Sequence, residues 1–273
     1  QSSIITNVCG DTSYFSSFNS DGFTVGTASD TNVNSGSFVS WNWKAGGTAP
    51  SKTYVVKVVS DSGNKYRFDD FGTSAVTLDL QEGGTYTFDQ SDSSNATHPL
   101  RFYTAADKTG GEYTTGVTTN GTPGSSGAYT RITVAASAPT LYYQCSAHAA
   151  MGGQVNTNST FGSSNFSGTI QSTVSANATA GFSIVKYTGT GSNATVGHGL
   201  NTAPKIILIK NRDAAHSWSV YSKHIGNTKY LKLDTNASED TNATRFNSTD
   251  PTSTVFSLGT HGSGNASGEE FIA

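Results

Sequence analysis

Charge is the first thing this sequence lacks. Only 13% of its 273 residues are charged and the formal net charge is −3. So sparse a set of Lys and Arg leaves no basic face for the phosphates of a nucleic acid. Leucine, a strong helix former, occurs nine times, whereas Thr, Val, Tyr and Phe recur beside 30 glycines. That is the composition of strands and turns. No apolar run approaches the roughly 18 residues that a membrane-crossing helix needs, so no membrane partner is expected. Catalytic signatures are missing as well. There is no G-x-S-x-G elbow, no H-E-x-x-H and no P-loop, so an enzyme is not expected. The sequence opens on Gln1 without a signal peptide and stops at "GEEFIA", inside an expected strand. It is therefore expected to be a piece of a longer polypeptide. Cysteine is down to two. Cys9 and Cys145 can form one disulfide, or Cys145 can serve another purpose, and the redox compartment stays open.

What is present is punctuation. Turn signals separate short apolar runs throughout, and aromatic residues at 11% supply a core. This predicts an all-β chain built of sandwich modules. Breaks at 46–53 ("GGTAPSKT") and 156–169 ("NTNSTFGSSNFSGT") divide it. The flanks resemble each other: "FNSDGFTVGTASDTNVNSGSFVSW" (18–41) lines up with "FNSTDPTSTVFSLGTHGSGNASGEEFIA" (246–273). Phe18 then matches Phe246, Phe23 matches Phe256, Gly26 matches Gly259, and Ser35-Gly36 matches Ser267-Gly268. Matches in this order mark an array of repeat units. The expected organisation has four parts. Residues 1–47 are the closing part of one β repeat module, 48–157 an inserted sandwich, 158–180 a linker, and 181–273 a second module truncated at its end. Residues 1–45 are too few to hold a core alone, so they are expected to pair with a preceding segment or a neighbouring chain.

Inside the central block the strands read "TYVVKVVS", "KYRFDD", "AVTLDL", "TYTFDQ", "HPLRFY", "YTRITV" and "LYYQCS". Seven short strands at this spacing predict a Greek-key sandwich. The last of them runs into "LYYQCSAHAAMGG" (141–153), where Cys145, His148 and the sole methionine, Met151, follow C-x2-H-x2-M spacing. A thiolate and two imidazoles in a trigonal field, with a weak axial thioether, suit a copper ion. One imidazole must come from elsewhere in the fold, because a single loop cannot surround a metal, and His98 at the start of a strand meets that need. The thioether argues against zinc. Two plainer readings stand beside this one. The sandwich can persist as a structural module with an empty site, or Cys145 can be a buried small residue and His148 a loop residue. The segments "EGGTYTFDQSDSSNATHPLRF" and "APTLYYQCSAHAAMGGQV" resemble the paired strands and the ligand loop of the cupredoxin family. That resemblance implies a type-1 copper site with His98, Cys145, His148 and Met151 as its ligands.

Other signals are weaker. N-x-S/T sequons at Asn95, Asn158, Asn193, Asn236 and Asn265 are what so Asn-, Ser- and Thr-rich a chain produces by composition. His198 in "TVGHGL" is expected at a β-turn. Trp41, Trp43 and Trp218 are expected in a core rather than as sugar platforms, and "DDF" (69–71) and "DQSDSS" (89–94) as solvated turns. The flanks "GFTVGTASDTNVNSGSFVSWNWKAGG" and "GFSIVKYTGTGSNATVGHGLNTAPKIILIKNRDAAHSW" resemble β-rich repeat modules of tail-fibre and virion surface proteins of marine tailed phages. This resemblance implies a structural or adhesive role on the virion surface, outside the cell. The implied partners are further copies of the chain, other virion proteins, and a host surface glycan or receptor. The alternative is a secreted bacterial surface cupredoxin that binds copper or transfers electrons.

Overall fold

The computed structural model describes residues 13–38, 40, 42, 49–159 and 162–273. Cys9, Trp41 and Trp43, and with them the possible Cys9–Cys145 disulfide, lie outside the described residues. The described chain is all-β, as its composition predicts. Among the described residues, helix is confined to two four-residue turns and a 3-10 turn at Ser93–Asn95. Backbone contacts divide the chain into two compact units, residues 1–44 and 45–273.

In the first unit, β1 (Phe15–Phe18) and β2 (Phe23–Val25) form an antiparallel hairpin, followed by the helical turn α1 (Ser29–Asn32). Phe15 and Phe18 both pack on Phe23, at ring-centroid distances of 5.6 and 6.5 Å.

The second unit begins with a sandwich. Its strands are β3 (Ser51–Ser60), β4 (Asn64–Phe68), β5 (Leu78–Gln81), β6 (Thr85–Asp89), β7 (Leu100–Tyr103), β8 (Val117–Asn120), β9 (Tyr129–Thr133), β10 (Leu141–Cys145) and β11 (Gly153–Ser159). One sheet has the order β4-β3-β6-β9-β8 and the other β5-β11-β10-β7. Strand alternation decides what fills the space between them. Tyr54, Tyr66, Phe68, Phe88, Phe102 and Tyr143 all point inward and are fully buried. Their rings bridge the two sheets, with Phe68–Tyr143 at 5.1 Å and Phe88–Phe102 at 5.5 Å, both edge-to-face. Edge-to-face rings gain attraction beyond the area they bury. β7 and β10 are antiparallel neighbours that place Leu100 opposite Cys145. That register brings the start of one strand to the end of the other.

The remaining strands are β12 (Ser163–Asn165), β13 (Ser172–Asn177), β14 (Phe182–Thr188), β15 (Ala194–Gly197), β16 (Ile206–Asn211), β17 (Ser219–Ser222), β18 (Lys229–Tyr230), β19 (Asp240–Thr241), β20 (Val255–Leu258) and β21 (Glu270–Ile272), with the helical turn α2 (Gly262–Asn265) before the last. They make a six-stranded sheet, β12-β13-β14-β21-β16-β17, whose core is shared with the β15–β20 pair. Residues 158–180, expected to be a linker, contain β12 and β13 instead. Ser163, Ser164 and Asn165 are buried, and the Tyr54 hydroxyl donates to the Ser164 carbonyl at 2.8 Å. Phe166 completes the sandwich core, its ring 5.8 Å from Phe68. Buried serines carry no apolar alternation, so β12 is hidden in what reads as a break.

The internal repeat is present in the backbone, in a different register from the sequence match. Phe23 still corresponds to Phe256 and Gly26 to Gly259. The Gly26 amide donates to Tyr14 and the Ala28 amide to Ser13, while Gly259 donates to Arg245 and His261 to Thr244. Phe15, not Phe18, therefore occupies the place of Phe246. Downstream, α1 corresponds to α2, and the left-handed residue is Ser35 (φ 62) in one copy and Gly268 (φ 77) in the other. The Ser35-Gly36 match to Ser267-Gly268 is thus one residue out. The two copies share a specific contact: Asn32 Nδ2 donates to the Gly26 carbonyl at 2.8 Å, and Asn265 Nδ2 to the Gly259 carbonyl at 2.8 Å. Shared composition does not reproduce a hydrogen bond.

Candidate metal centre

The site is assembled where β7 begins and β10 ends. The Ser146 amide donates to the Pro99 carbonyl at 2.9 Å, which ties the two ends together. On the β7 side, the His98 carbonyl accepts from the Tyr66 hydroxyl and from Gln90 Nε2, both at 2.9 Å. Gln90 is buried, and its oxygen accepts from the Leu100 amide at 3.1 Å. One glutamine thus fixes the backbone on both sides of Pro99.

The loop after Cys145 is held closed by Gln144. Its Oε1 accepts from the amides of Met151 and Gly152 at 3.2 and 3.0 Å. Lys108 reaches across from the β7–β8 connection and donates to the carbonyls of Cys145, Ser146 and His148 at 3.1 to 3.4 Å. Lys65 Nζ donates to the Ala150 carbonyl from the other side. Gly152 is required here, because a Cβ would lie 1.6 Å from the Tyr143 carbonyl oxygen.

These ties bring three of the expected ligands together. His98 Nδ1 lies 3.8 Å from Cys145 Sγ and His148 Nδ1 lies 3.5 Å from it. The two imidazole rings are 4.5 Å apart. One donor atom from each of the three residues falls within 4.8 Å of the others, the spacing of a set able to hold a metal ion. Cys145 is a fully buried free thiol, His98 is half-buried and His148 is exposed. Burial, and then the neighbouring His148 ring, hold the His98 imidazole below its ordinary value. A neutral imidazole is the form that ligates. Asn64 lies 3.5 Å from His98 Nε2. The atom that faces the ring is Asn64 Nδ2, on the side of the imidazole away from the sulfur. Met151 is 1% exposed and shares the sandwich core with Cys145. Its backbone is fixed at both ends, by Gln144 and by the Tyr66 amide, which donates to the Met151 carbonyl at 2.9 Å. A thiolate and two imidazole nitrogens form a donor set that fits copper, and the same set tolerates zinc less well only if the thioether joins it.

Other residues singled out in the sequence do not join a site. Asn95 and Asn265 are buried, and Asn95 Nδ2 donates to the Val56 carbonyl at 2.7 Å. Both are structural amides, out of reach of a glycan. Asn193 and Asn236 are exposed. His198 follows β15 and is buried, with Nδ1 accepting from the Leu200 amide at 3.2 Å and Nε2 3.2 Å from the Thr252 carbonyl. Asp89 and Asp92 hold turns by accepting from amides two residues on, and Asp69 accepts from the Val55 amide of the neighbouring β3. Trp218 is half-buried. The supporting residues Gln90, Gln144, Lys108, Asn64 and Tyr66 were not legible, because no spacing marks a side chain that acts on distant backbone.

No curated protein and no solved structure matches the chain. A model of a domain of unknown function (DUF7483) matches residues 3–67 and 155–273. These segments make up more than half of the chain, which therefore belongs to that family.

Proposed function

We propose that this chain is a structural or adhesive surface protein whose β repeat modules carry a cupredoxin-like sandwich, and that the sandwich binds one copper ion. The observation behind this is the convergence of His98, Cys145 and His148 at one end of a sandwich, with both imidazoles presenting Nδ1 to the sulfur. Met151, buried in the same sandwich core, would supply its thioether as the fourth donor in this reading. The family-matched segments leave residues 68–154 uncovered, and all four residues fall there. This supports a site that belongs to an inserted sandwich rather than to the repeat modules. The low charge and the repeat support a place in an assembled surface structure, which we take to be that of a tailed-phage virion.

When bound, copper would supply one-electron chemistry. The protein's own part is to hold two imidazoles and a desolvated sulfur in place. A second reading, electron transfer, is favoured by the exposure of His148, which would give a redox partner access through one imidazole edge. Titration with copper(II) tests the proposal. One equivalent should produce the intense visible thiolate-to-copper band, and Cys145→Ser should abolish it. Binding of zinc in preference to copper, or no band at all, would overturn the reading.

A further inference from the structure

The two copies of the repeat carry the same closing motif, but among the described residues only the second is seen to close a sheet. In the second copy, α2 and β21 are covered. Asn265 is 1% exposed and makes further contacts to the turn between β14 and β15: its Oδ1 accepts from the Thr190 amide at 2.8 Å, and its Nδ2 donates to the Ser192 carbonyl at 2.6 Å. The Gly191 amide donates to the Asn265 carbonyl at 2.8 Å. The approach is so close that a Cβ on Gly189 would lie 2.3 Å from the Ala266 carbonyl oxygen. β21 then enters between β14 and β16, and Phe271, fully buried, stacks on Tyr187 at 5.3 Å.

In the first copy the equivalent groups face solvent. Asn32 is exposed, Val33 and Phe38, at the places of Ala266 and Phe271, are 48% and 53% exposed, and residues 37 and 38 belong to no strand. Among the described residues, β2 pairs with β1 alone, whereas its counterpart β20 is paired with β15. Asn32 keeps the internal bond to Gly26 and lacks, among the described residues, the bonds that a turn would supply.

We infer that residues 13–38 are a closing segment offered to a second module of the same repeat. The occupant of the exposed face is a strand–turn–strand of the kind formed by residues 182–197, with glycines at its turn, in a module that lacks its own closing segment. The segment following Ser35 enters that module's sheet as β21 enters its own, so that modules join by exchange of a strand rather than by surface contact.

Two experiments decide it. In a full-length chimera, residues 259–273 are replaced by the fifteen residues 26–40. The repeat module should keep its cooperative melt within about 4 °C of the parent. Loss of that transition, as expected of a scrambled version of the same fifteen residues, overturns the inference. In the second, a labelled peptide of residues 26–40 is added to the full chain carrying Phe271→Ala and to the unaltered chain. It should bind the variant and not the unaltered chain, and Asn32→Ala with Phe38→Ala in the peptide should weaken binding about tenfold or more. Equal binding to both chains, or none to the folded variant, overturns it. If Phe271→Ala does not fold, the chimera alone decides. Concentration-dependent dimers of the unaltered chain that Phe38→Ala abolishes would show copies meeting face to face instead, and would also overturn it.

Discussion

His98 and His198 are two buried-edge histidines of one chain, and they teach different things. In both, burial holds the imidazole below its ordinary value. His198 spends its two nitrogens on backbone, the Leu200 amide and the Thr252 carbonyl. It is a satisfied residue in a turn. His98 gives backbone contacts only through its main chain and turns Nδ1 toward a thiol and a second imidazole. Low basicity is common to a histidine satisfied by backbone and to one turned toward other donor atoms. Convergence of unlike donor atoms separates them.

The comparison can be broken most decisively by removing the sulfur. Cys145→Ser should lower copper affinity by more than about 100-fold while the sandwich melts close to the parent temperature. His198→Ala should leave the affinity untouched. Isothermal titration of both variants checks this, and equal losses would erase the distinction.

Stability reads the same pair in reverse. His198→Ala leaves the Leu200 amide without its acceptor in a buried place, and should cost the repeat module about 1–3 kcal/mol in chemical denaturation. Between these cases lies Gln144→Ala, which touches no ligand side chain. It should cost about 1–2 kcal/mol, expose the Met151 and Gly152 amides to hydrogen exchange, and weaken copper binding by roughly tenfold.

The smallest effect is the pH dependence of the metal-free protein. The folded pKa of His198 is depressed, so the unfolded chain takes up the proton first as pH falls. Stability is level above the unfolded value near 6.5 and declines as pH drops below it, until the folded imidazole also titrates. His98 and His261, also held low by burial first, act in the same direction. The slope from one such group is bounded by about 1.4 kcal/mol per pH unit. Urea midpoints between pH 7.5 and 5.5 should fall, and His198→Gln should flatten part of the decline.

Much of this was legible in the residues. β3, β6 and β10 announce themselves by alternation of Tyr, Val and Phe with polar residues, and the spacing of Cys145, His148 and Met151 marks one loop. β8 does not: "VTTN" carries a single apolar residue and lies on a sheet edge, exposed along most of its length. β12 was lost for the opposite reason, since its buried positions are Ser163, Ser164 and Asn165, and β13 shows only Val174 beside the buried, hydrogen-bonded Ser172. The repeat register slipped at Phe15 because the β1–β2 hairpin is shorter than the excursion from Phe246 to Val255, and matching letters cannot show where the difference in length falls. Gln90 and Gln144 were invisible altogether. A glutamine that clamps backbone looks in sequence like any polar residue.

The loop from Cys145 to Gly152 is stitched by Gln144, Lys108 and Lys65 before any ion arrives. The ordering entropy of the loop is therefore met during folding and not at the moment of loading. Gaining or losing an ion should leave the outline of the sandwich almost unchanged. In an array of linked modules, the repeat distance would then be the same whether every proposed site is filled or none is, and loading would pass no strain along such an assembly.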